Sequence, residues 1–309
     1  MRRGSGLPRR APGRGKRDHL ASRDTNRPCP AGRPSLALRA LVFGAGGQLG
    51  SELVRLLGED VGFTHDQVSI LDTAAVTSLI AKRKPDTVFN CAAYNAVDRA
   101  EEEPDLALAV NAQGPLNLAA ACRRSGATLV HFSTNFVFDG RNDEPYVEAD
   151  EPSPLSAYGR SKLEGERGVL ETGGHVLLVR TAAVFGGPHS FPHRILDRAR
   201  AGGPLRVVAD QLVNPTYAKD LAAAAIELVE TSTAGIVHAV AGGCAGWDEL
   251  ARATLGEFGV SAAVEPVSSG GYPSAAARPL NGCLGTTRYR PLRPWREALH
   301  EWAAQTKRA

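Results

Sequence analysis

Tyr158 and Lys162 are the residues whose types and spacing most directly suggest chemistry. They stand four positions apart in the stretch SAYGRSKLEGE, and residues four apart share one face of a helix. A free phenol titrates at about pH 10, but a neighbouring ammonium lowers that pKa by stabilising the phenolate. The pair is therefore a candidate for proton transfer. The other charged residues of the stretch, Arg160, Glu164 and Glu166, are predicted to cover the solvated face of the helix.

Two further features support a catalytic role for this pair, because a Y-x-x-x-K spacing alone is common on solvated helices. Thr134 ends the strand-like run ATLVHFST and could bind the reacting oxygen. The stretch GAGGQLG, from Gly44 to Gly50, follows the strand-like run ALRALVF and opens a helical pattern. Glycines there let the backbone turn tightly and approach a pyrophosphate at the helix N-terminus. Together these features predict dinucleotide-dependent chemistry by Thr134, Tyr158 and Lys162.

The identity of the dinucleotide depends on the segment that follows the second strand. An acidic residue about 20 positions after the first glycine would hold the ribose 2′-hydroxyl of NAD. Thr64 occupies that place, whereas His65 could meet a 2′-phosphate and Asp66 could serve NAD. The sequence favours NADPH and leaves NADH open.

The elements that must position these residues alternate between strand and helix. Buried strands are predicted at 86–91, 127–133 and 175–180, and a long Ala-rich helix is predicted at 105–124. This alternation predicts an α/β fold with a Rossmann-like, doubly wound parallel sheet.

After about residue 182 the pattern loosens, as expected for a smaller C-terminal substrate-binding lobe with parts that return to the sheet. Helices are predicted in this part at 218–230, 247–258 and 294–305. The predicted division is a disordered basic extension at 1–36, an NAD(P)-binding Rossmann domain at 37–182 and a mainly substrate-binding lobe at 183–309.

The charge of the chain is distributed unevenly. The net charge of +3 combines +9 in residues 1–40 (eleven Arg and Lys against two Asp) with −6 in the remainder. A basic tail can bind nucleic acid or an anionic surface. We favour a dispensable extension and expect no nucleic-acid partner. The sequence shows neither a signal peptide nor the roughly 18 apolar residues of a membrane span, which predicts a cytoplasmic protein.

Metal and disulfide sites are not expected. The five cysteines are scattered without a CxxC motif, so neither a disulfide framework nor a zinc site is suggested. The acidic residues Asp98 and Glu101–Glu103 could form a metal cluster, but a solvated helix start is the favoured interpretation. His131 is expected to pack in the core. A loop beside the substrate is expected around Asp210, Asn214 and Thr216.

Longer motifs resemble one family. The chain is similar to the extended short-chain dehydrogenase/reductase superfamily and, within it, to the dTDP-4-dehydrorhamnose reductase family, over roughly residues 39–305. The motifs that carry the resemblance are GAGGQLG (44–50), CAAYNAVDRAE (91–101), VNA (110–112), STNFVFDG (133–140), YGRSKLEGE (158–166), RTAAVFG (180–186), DQLVNPT (210–216) and YPSAAARPLN (272–281).

The resemblance implies reduction, by NADPH or NADH, of the 4-keto group of a dTDP-linked 4-keto-6-deoxyhexose, without a metal. It implies that Thr134, Tyr158 and Lys162 are catalytic, and a homodimer is one expected assembly. The implied cofactor contacts are Gly44, Gly46, Gly47, Gln48, Leu49, His65, Ser69, Ile70, Ala92, Ala93, Tyr94, Tyr158 and Lys162. The implied substrate contacts are Asn135, Phe136, Arg278 and Asn281.

The sequence departs from the family pattern mainly at the wall facing the sugar. Asn135 stands where an Asp is frequent, Phe136 where a Tyr is usual, and Ala183 where a Trp commonly lies. Near the adenine, an expected Asp-Ile pair reads Ser69-Ile70. The departures suggest a related keto-sugar as much as dehydrorhamnose itself. Two alternatives remain: a sugar-nucleotide epimerase or dehydratase of the same superfamily, and a non-catalytic NADP-binding subunit resembling methionine adenosyltransferase subunit beta.

Overall fold

The apolar runs of the sequence form short strands joined by helices. A computed structural model describes Met1 and residues 38–308, so the predicted extension at 1–36 lies, Met1 apart, outside the described residues. The strands are β1 (Ala40–Phe43), β2 (Gly62–Phe63), β3 (Thr87–Asn90), β4 (Thr128–Thr134), β5 (Val176–Thr181), β6 (Val184–Phe185), β7 (Leu205–Val208), β8 (Leu212–Val213), β9 (Thr216–Tyr217), β10 (Gly235–His238), β11 (Ala241–Gly242), β12 (Ala245–Gly246), β13 (Val264–Val267) and β14 (Leu292–Pro294). The α-helices are α1 (Gln48–Leu57), α2 (Thr73–Arg83), α3 (Arg99–Glu102), α4 (Pro104–Leu108), α5 (Gly114–Ser125), α6 (Ala157–Glu171), α7 (Phe191–Arg200), α8 (Ala218–Glu230), α9 (Trp247–Phe258) and α10 (Trp295–Thr306).

One parallel sheet of six strands, in the order β2–β1–β3–β4–β5–β10, forms the centre of the fold. The chain runs outward from β1 to β2 and then returns to the other side of β1 at β3. Such sheets bind ligands where the winding reverses, beyond the carboxyl ends of the strands. The predicted Rossmann-like, doubly wound parallel sheet is confirmed.

The register of the sheet collects the functional segments at one edge. Phe43 at the end of β1 pairs with Asn90 at the end of β3. Thr134 at the end of β4 pairs with Thr181 at the end of β5. The segments that leave these four strands therefore start side by side.

Helices cover both faces of the sheet, which explains why its strands read as continuous apolar runs. On one face, Val42 packs with Leu53 of α1 and Leu221 of α8. On the other face, Leu41 packs in a cluster that includes Leu118 of α5. Each face thus has its own buried core.

The helix predicted at 105–124 is interrupted. A π-helical turn, Ala109–Gln113, separates α4 from α5. Its Asn111 carbonyl lies so close to α6 that a Cβ added at Gly165 would be 2.1 Å from the oxygen. The expected continuous helix is wrong at this point, because the backbone widens to i→i+5 hydrogen bonds, and a single turn of five residues is too short to recognise in an apolar pattern. Such turns are frequent at functional sites.

The chain after residue 182 contributes both to the sheet and to a second core. Strand β10 pairs with β5, and α8 packs against α1. Helices α7, α9 and α10 enclose a separate apolar cluster that includes Phe185, Leu250 and Trp302. The helices predicted at 218–230, 247–258 and 294–305 are observed as α8, α9 and α10.

Two cysteines contradict the expectation drawn from their spacing. Cys244 and Cys283 are joined by a disulfide, with Cα atoms 6.1 Å apart. They are 39 residues apart in the chain and meet only because two loops fold together, so the spacing gave no sign of the pair. Cys91 and Cys122 are free thiols.

Residues 38–308 contain no helix that is both long and apolar enough to cross a membrane. In the same part of the chain, no group of three or more His, Cys, Asp or Glu side chains could hold a metal ion.

Candidate active site

Helix α6 carries the tyrosine and the lysine. It begins after Ser156, whose hydroxyl accepts the backbone N–H of Gly159 at 3.1 Å. Tyr158 and Lys162 are both buried, at 7% and 3% exposure. A Cβ added at Gly159 would lie 2.3 Å from the Phe136 carbonyl oxygen, so glycine is needed where α6 approaches the segment that follows β4. The helix is therefore held closely against the end of this strand.

The lysine is oriented by the sheet. The Lys162 Nζ donates to the carbonyl oxygen of Phe132 in β4 at 2.7 Å. Burial lowers the pKa of Lys162 to about 8, although the negative charge of Glu166 opposes this shift. One of the three ammonium protons is therefore used by the strand, which leaves two for other acceptors.

The tyrosine differs from the sequence-based expectation. Burial raises the pKa of Tyr158 to about 12, and the Thr134 hydroxyl opposes the shift only in part. The expectation of a pKa lowered by Lys162 is wrong for this structure, because burial disfavours the charged phenolate. The Tyr158 hydroxyl donates to Asn95 Oδ1 at 3.4 Å, and its ring meets the Phe136 ring edge-to-face, with centroids 5.4 Å apart.

The end of β4 places three predicted residues next to the tyrosine. The Thr134 hydroxyl accepts the N–H of Phe136 at 3.2 Å and donates to Asn135 Oδ1 at 3.3 Å. Asn135 is 3% exposed, and its Nδ2 donates to the Gly282 carbonyl at 2.9 Å. The amide of Asn135 therefore joins β4 to the loop at residues 281–284.

The glycine turn has the geometry of a diphosphate cradle. Gly44 has a φ of +80°, and a Cβ there would lie 2.5 Å from the backbone nitrogen of Ala92. A Cβ at Gly50 would lie 2.1 Å from the Gly44 carbonyl oxygen. Helix α1 begins at Gln48 with no side-chain cap at Gly47 and no acidic residue in its first turn. Its N-terminal amides can thus receive an anion, so the residues present fit a nicotinamide dinucleotide.

The glycine turn and the catalytic candidates share one cleft with a volume of about 530 Å³. The predicted residues that line it are Gly46, Gly47, Gln48, Leu49, Ala92, Ala93, Thr134, Asn135, Phe136, Tyr158 and Lys162. Ala183, one of the departures from the family pattern, also lines the cleft and has a φ of +42°.

Five predicted cofactor contacts do not line this cleft: Gly44, which lies within the glycine turn itself, and four others. His65 is exposed beyond β2, and the Ser69 hydroxyl accepts the N–H of Leu71 within a local turn. Ile70 is 4% exposed in the core. The Tyr94 hydroxyl donates to Glu103 at 2.6 Å. Direct cofactor contact by these four residues stays a prediction.

A second cavity of about 250 Å³ adjoins the cleft, because Asn135 and Phe136 line both. Phe191 of α7 and Trp247 of α9 lie on its wall with ring centroids 4.8 Å apart. The sequence pattern does not reveal this wall, because its residues come from separated elements of the C-terminal part. The arginines that line the cavity are Arg194, Arg198, Arg206 and Arg278.

Two of the predicted substrate contacts, Arg278 and Asn281, are engaged with other parts of the protein. Arg278 lines the second cavity, but its guanidinium pairs with the carboxylate of Asp98, with 2.7 Å between Nη2 and Oδ2. The Asn281 Nδ2 donates to backbone carbonyls of residues 142–144, the shortest at 2.8 Å, and Asn281 lines neither cavity. Substrate contact by Asn281 stays a prediction.

Glu166 was predicted on the solvated face of α6, and this prediction is wrong. The side chains of Glu166 and Arg180 are each 2% exposed, and they form a bidentate pair with 2.6 Å between Arg180 Nη2 and Glu166 Oε2. The positions 158, 162 and 166 repeat every four residues, so the face that buries Tyr158 and Lys162 also buries Glu166. Arg160 and Glu164 are exposed as predicted.

The acidic stretch near residue 100 is more than a solvated helix start. Glu101 accepts the backbone N–H of Ala157 at 2.8 Å, which caps α6 next to Tyr158. Asp98 holds Arg278, and this ion pair keeps the pKa of the Asp98 carboxyl well below its usual range. These acids connect the segment after β3 with α6 and with the loop at 272–279.

The remaining predicted residues have structural contacts. His131 is fully buried, with Nδ1 3.1 Å from Asn90 Nδ2, in agreement with a core position. The Asn214 Oδ1 accepts the N–H of Leu284 at 2.7 Å, and Asp210 accepts the N–H of Ser269 at 2.9 Å.

Comparison with known proteins agrees with this geometry. A family model described as RmlD substrate binding domain matches residues 38–308. The dTDP-4-dehydrorhamnose reductase of Mycolicibacterium smegmatis is 41% identical, over 87% of this chain and 86% of the relative. A probable dTDP-4,6-dihydroxy-2-methyloxan-3-one 4-ketoreductase of Streptomyces antibioticus is 38% identical, over 85% of this chain and 94% of the relative.

A solved structure gives the same result. The crystal structure of Bacillus anthracis dTDP-4-dehydrorhamnose reductase in complex with NADP superimposes with a TM-score of 0.84 at 32% identity, covering 87% of this chain and 99% of the other. The resemblance drawn from the sequence motifs is confirmed over nearly all of the described residues. The chain belongs to the dTDP-4-dehydrorhamnose reductase family.

Proposed function

We propose that this protein reduces the 4-keto group of a dTDP-linked 4-keto-6-deoxyhexose with NADPH or NADH, as a step of deoxysugar biosynthesis. The observation that carries the proposal is the single cleft in which Thr134, Tyr158 and Lys162 face the glycine turn. The name of the M. smegmatis relative and the NADP held by the B. anthracis structure support it.

The cofactor would lie along the first part of the cleft. Gly46, Gly47 and the N-terminal amides of α1 would hold its diphosphate, and Ala92 and Ala93 would border its adenosine and ribose side. When bound, the reduced nicotinamide supplies the hydride, so the protein needs to bind, orient and protonate.

Tyr158 is suited to act as the proton donor. With its pKa raised to about 12, the phenol keeps its proton at neutral pH until negative charge develops on the substrate oxygen. Thr134 lies beside it and would donate a hydrogen bond to the same oxygen. Lys162, with a pKa of about 8, is mostly protonated at neutral pH and would favour the phenolate that the transfer leaves.

The nucleotide end of the substrate would occupy the second cavity. The rings of Phe191 and Trp247 offer an apolar surface for a pyrimidine base. Arg194, Arg198 and Arg206 supply positive charge for a diphosphate. The sugar would then lie between the two cavities, against Asn135 and Phe136.

A related keto-sugar is the second candidate substrate. Ala183 lines the cleft where a bulky aromatic residue is common in the family, and Asn135 and Phe136 alter the same wall. The S. antibioticus relative, which is named as a ketoreductase of a different dTDP-linked sugar, supports this alternative. We infer that the sugar pocket, and not the catalytic set, decides between the two.

An assay of the purified full chain tests the proposal. NADPH and NADH oxidation would be followed with a panel of dTDP-4-keto-6-deoxyhexoses, and the configuration of the product alcohol would be determined by NMR. Oxidation with at least one sugar is expected. Isomerisation without net cofactor oxidation would favour an epimerase, and cofactor binding without turnover of any sugar would favour a regulatory subunit. Cytoplasmic location and a homodimer remain proposals, testable by cell fractionation and by light scattering.

A further inference from the structure

Asn95 accepts a hydrogen bond from the Tyr158 hydroxyl. Its Oδ1 accepts the phenolic hydrogen at 3.4 Å, and the residue lines the cleft together with Thr134 and Lys162. Asn95 is exposed at the cleft, whereas the tyrosine is buried.

The backbone that carries Asn95 is held in place from one buried anchor. Asn111, in the π-helical turn Ala109–Gln113, is fully buried and clamps the peptide immediately before Asn95. Its Oδ1 accepts the N–H of Tyr94 at 2.9 Å, and its Nδ2 donates to the Tyr94 carbonyl at 3.0 Å. The same Nδ2 donates to the Ser161 hydroxyl on α6 at 3.0 Å. Thus one side chain fixes both the segment of Asn95 and the helix that bears Tyr158.

A carboxamide next to a proton donor can serve both of its protonation states. The oxygen accepts a hydrogen bond from the neutral phenol, and the NH₂ group donates to the phenolate after a half-turn about the Cβ–Cγ bond. A carboxylate in the same place could accept but not donate, and its charge would oppose the phenolate. The other titratable groups that line the cleft are Cys91, Lys162 and His189.

We propose that Asn95 is a positioning residue for proton transfer, which aims the Tyr158 hydroxyl before the transfer and stabilises the phenolate after it. This inference rests on the proposed function. The O–H bond of Tyr158 breaks, a new O–H bond forms on the substrate oxygen, and the two electrons of the broken bond stay on the phenolate. Asn95 changes only its hydrogen bonds and is neither oxidised nor protonated.

The test compares Asn95→Asp, Asn95→Ala and Asn95→Gln in the full chain. Asn95→Asp is expected to lower kcat about tenfold. It should also move the alkaline limb of the reduction profile, which is set by deprotonation of Lys162, upward by about one pH unit, because a carboxylate added to the cleft raises the pKa of both Lys162 and Tyr158. Asn95→Ala should lower kcat about fivefold with an unmoved limb, and Asn95→Gln should recover at least half of that loss. KM for the sugar and the NADPH dissociation constant should stay within about twofold of wild type.

The exposed Asn142, which lines neither cavity, provides the matched control. Asn142→Asp adds the same charge and should leave kcat and the pH profile unchanged, and circular dichroism would establish that all variants fold. A wild-type pH profile and kcat in Asn95→Asp, with an active wild-type enzyme, would overturn the inference. If the wild-type chain fails to oxidise NADPH with every sugar of the panel, that result would instead contradict the proposed function itself.

Discussion

Removing one charge of the buried pair between Glu166 and Arg180 should destabilise the protein far more than removing an exposed charge from the same helix. The two side chains are each 2% exposed, and the Arg180 guanidinium also lies 5.1 Å from the centroid of the Phe138 ring. Loss of one partner leaves the other charge buried, which costs about 3–5 kcal/mol. Glu166→Gln and Arg180→Met should each lower the free energy of unfolding by about this amount, and Tm by roughly 10 °C.

Urea denaturation followed by circular dichroism measures this loss. The matched control is Glu164→Gln on the same helix, since Glu164 and Arg167 form a surface pair with both side chains 54% exposed. The control should change the free energy of unfolding by less than about 0.5 kcal/mol. The double variant Glu166→Met with Arg180→Met should be more stable than either single variant, because no charge is left buried without a partner. Losses below about 1 kcal/mol in both single variants would refute the reasoning.

Glu166 of this pair should also affect the pKa of Lys162. The charge of Glu166 raises the pKa of Lys162, against the lowering effect of burial. Glu166→Gln removes that charge, so the pKa of Lys162 should fall further below its ordinary value. The protonated lysine is then lost at lower pH, and the alkaline limb of the kcat profile should move downward. An unmoved limb in a folded variant would show that Glu166 does not act on Lys162.

Three other changes separate the two halves of the site. Gly44→Ala forces a Cβ to within 2.5 Å of the Ala92 nitrogen at a φ of +80°, so the NADPH dissociation constant measured by fluorescence should rise at least tenfold. Trp247→Ala removes a ring from the second cavity and should raise KM for the dTDP-sugar about tenfold, while NADPH binding measured in parallel stays unchanged. Asp98→Asn removes the charge that pairs with Arg278, and it should change KM for the sugar more than kcat in steady-state assays. An unchanged KM would show that this ion pair does not contribute to substrate binding.

The sequence predicted the sheet and the catalytic set because both depend on local patterns. Apolar runs followed by glycines mark the strands and the turn at Gly44, and the i, i+4 spacing places Tyr158 and Lys162 on one face. The strands, the glycine turn and the shared face of Tyr158 and Lys162 all follow from the strand and helix periods alone. The π-helical turn could not be predicted, because one turn of five residues is too short to recognise in the apolar pattern.

The parts that were missed depend on contacts between distant segments. Burial of Glu166 depends on Arg180 in β5, and the disulfide joins loops 39 residues apart. The raised pKa of Tyr158 results from the whole environment that surrounds it, which no spacing reveals. The arginine-lined cavity gathers residues from α7, β7 and the loop at 272–279, so only the folded chain brings them together.

Replacing Tyr158 with Phe tests the central claim most directly, because the change removes the hydroxyl and keeps the ring that packs on Phe136. With a dTDP-4-keto sugar that the wild-type chain reduces, kcat of Tyr158→Phe should fall at least 100-fold, in line with the loss of a general acid of about 10²–10⁴-fold effect. NADPH binding should stay within about twofold of wild type. A kcat within twofold of wild type would contradict the assignment of Tyr158 as the proton donor.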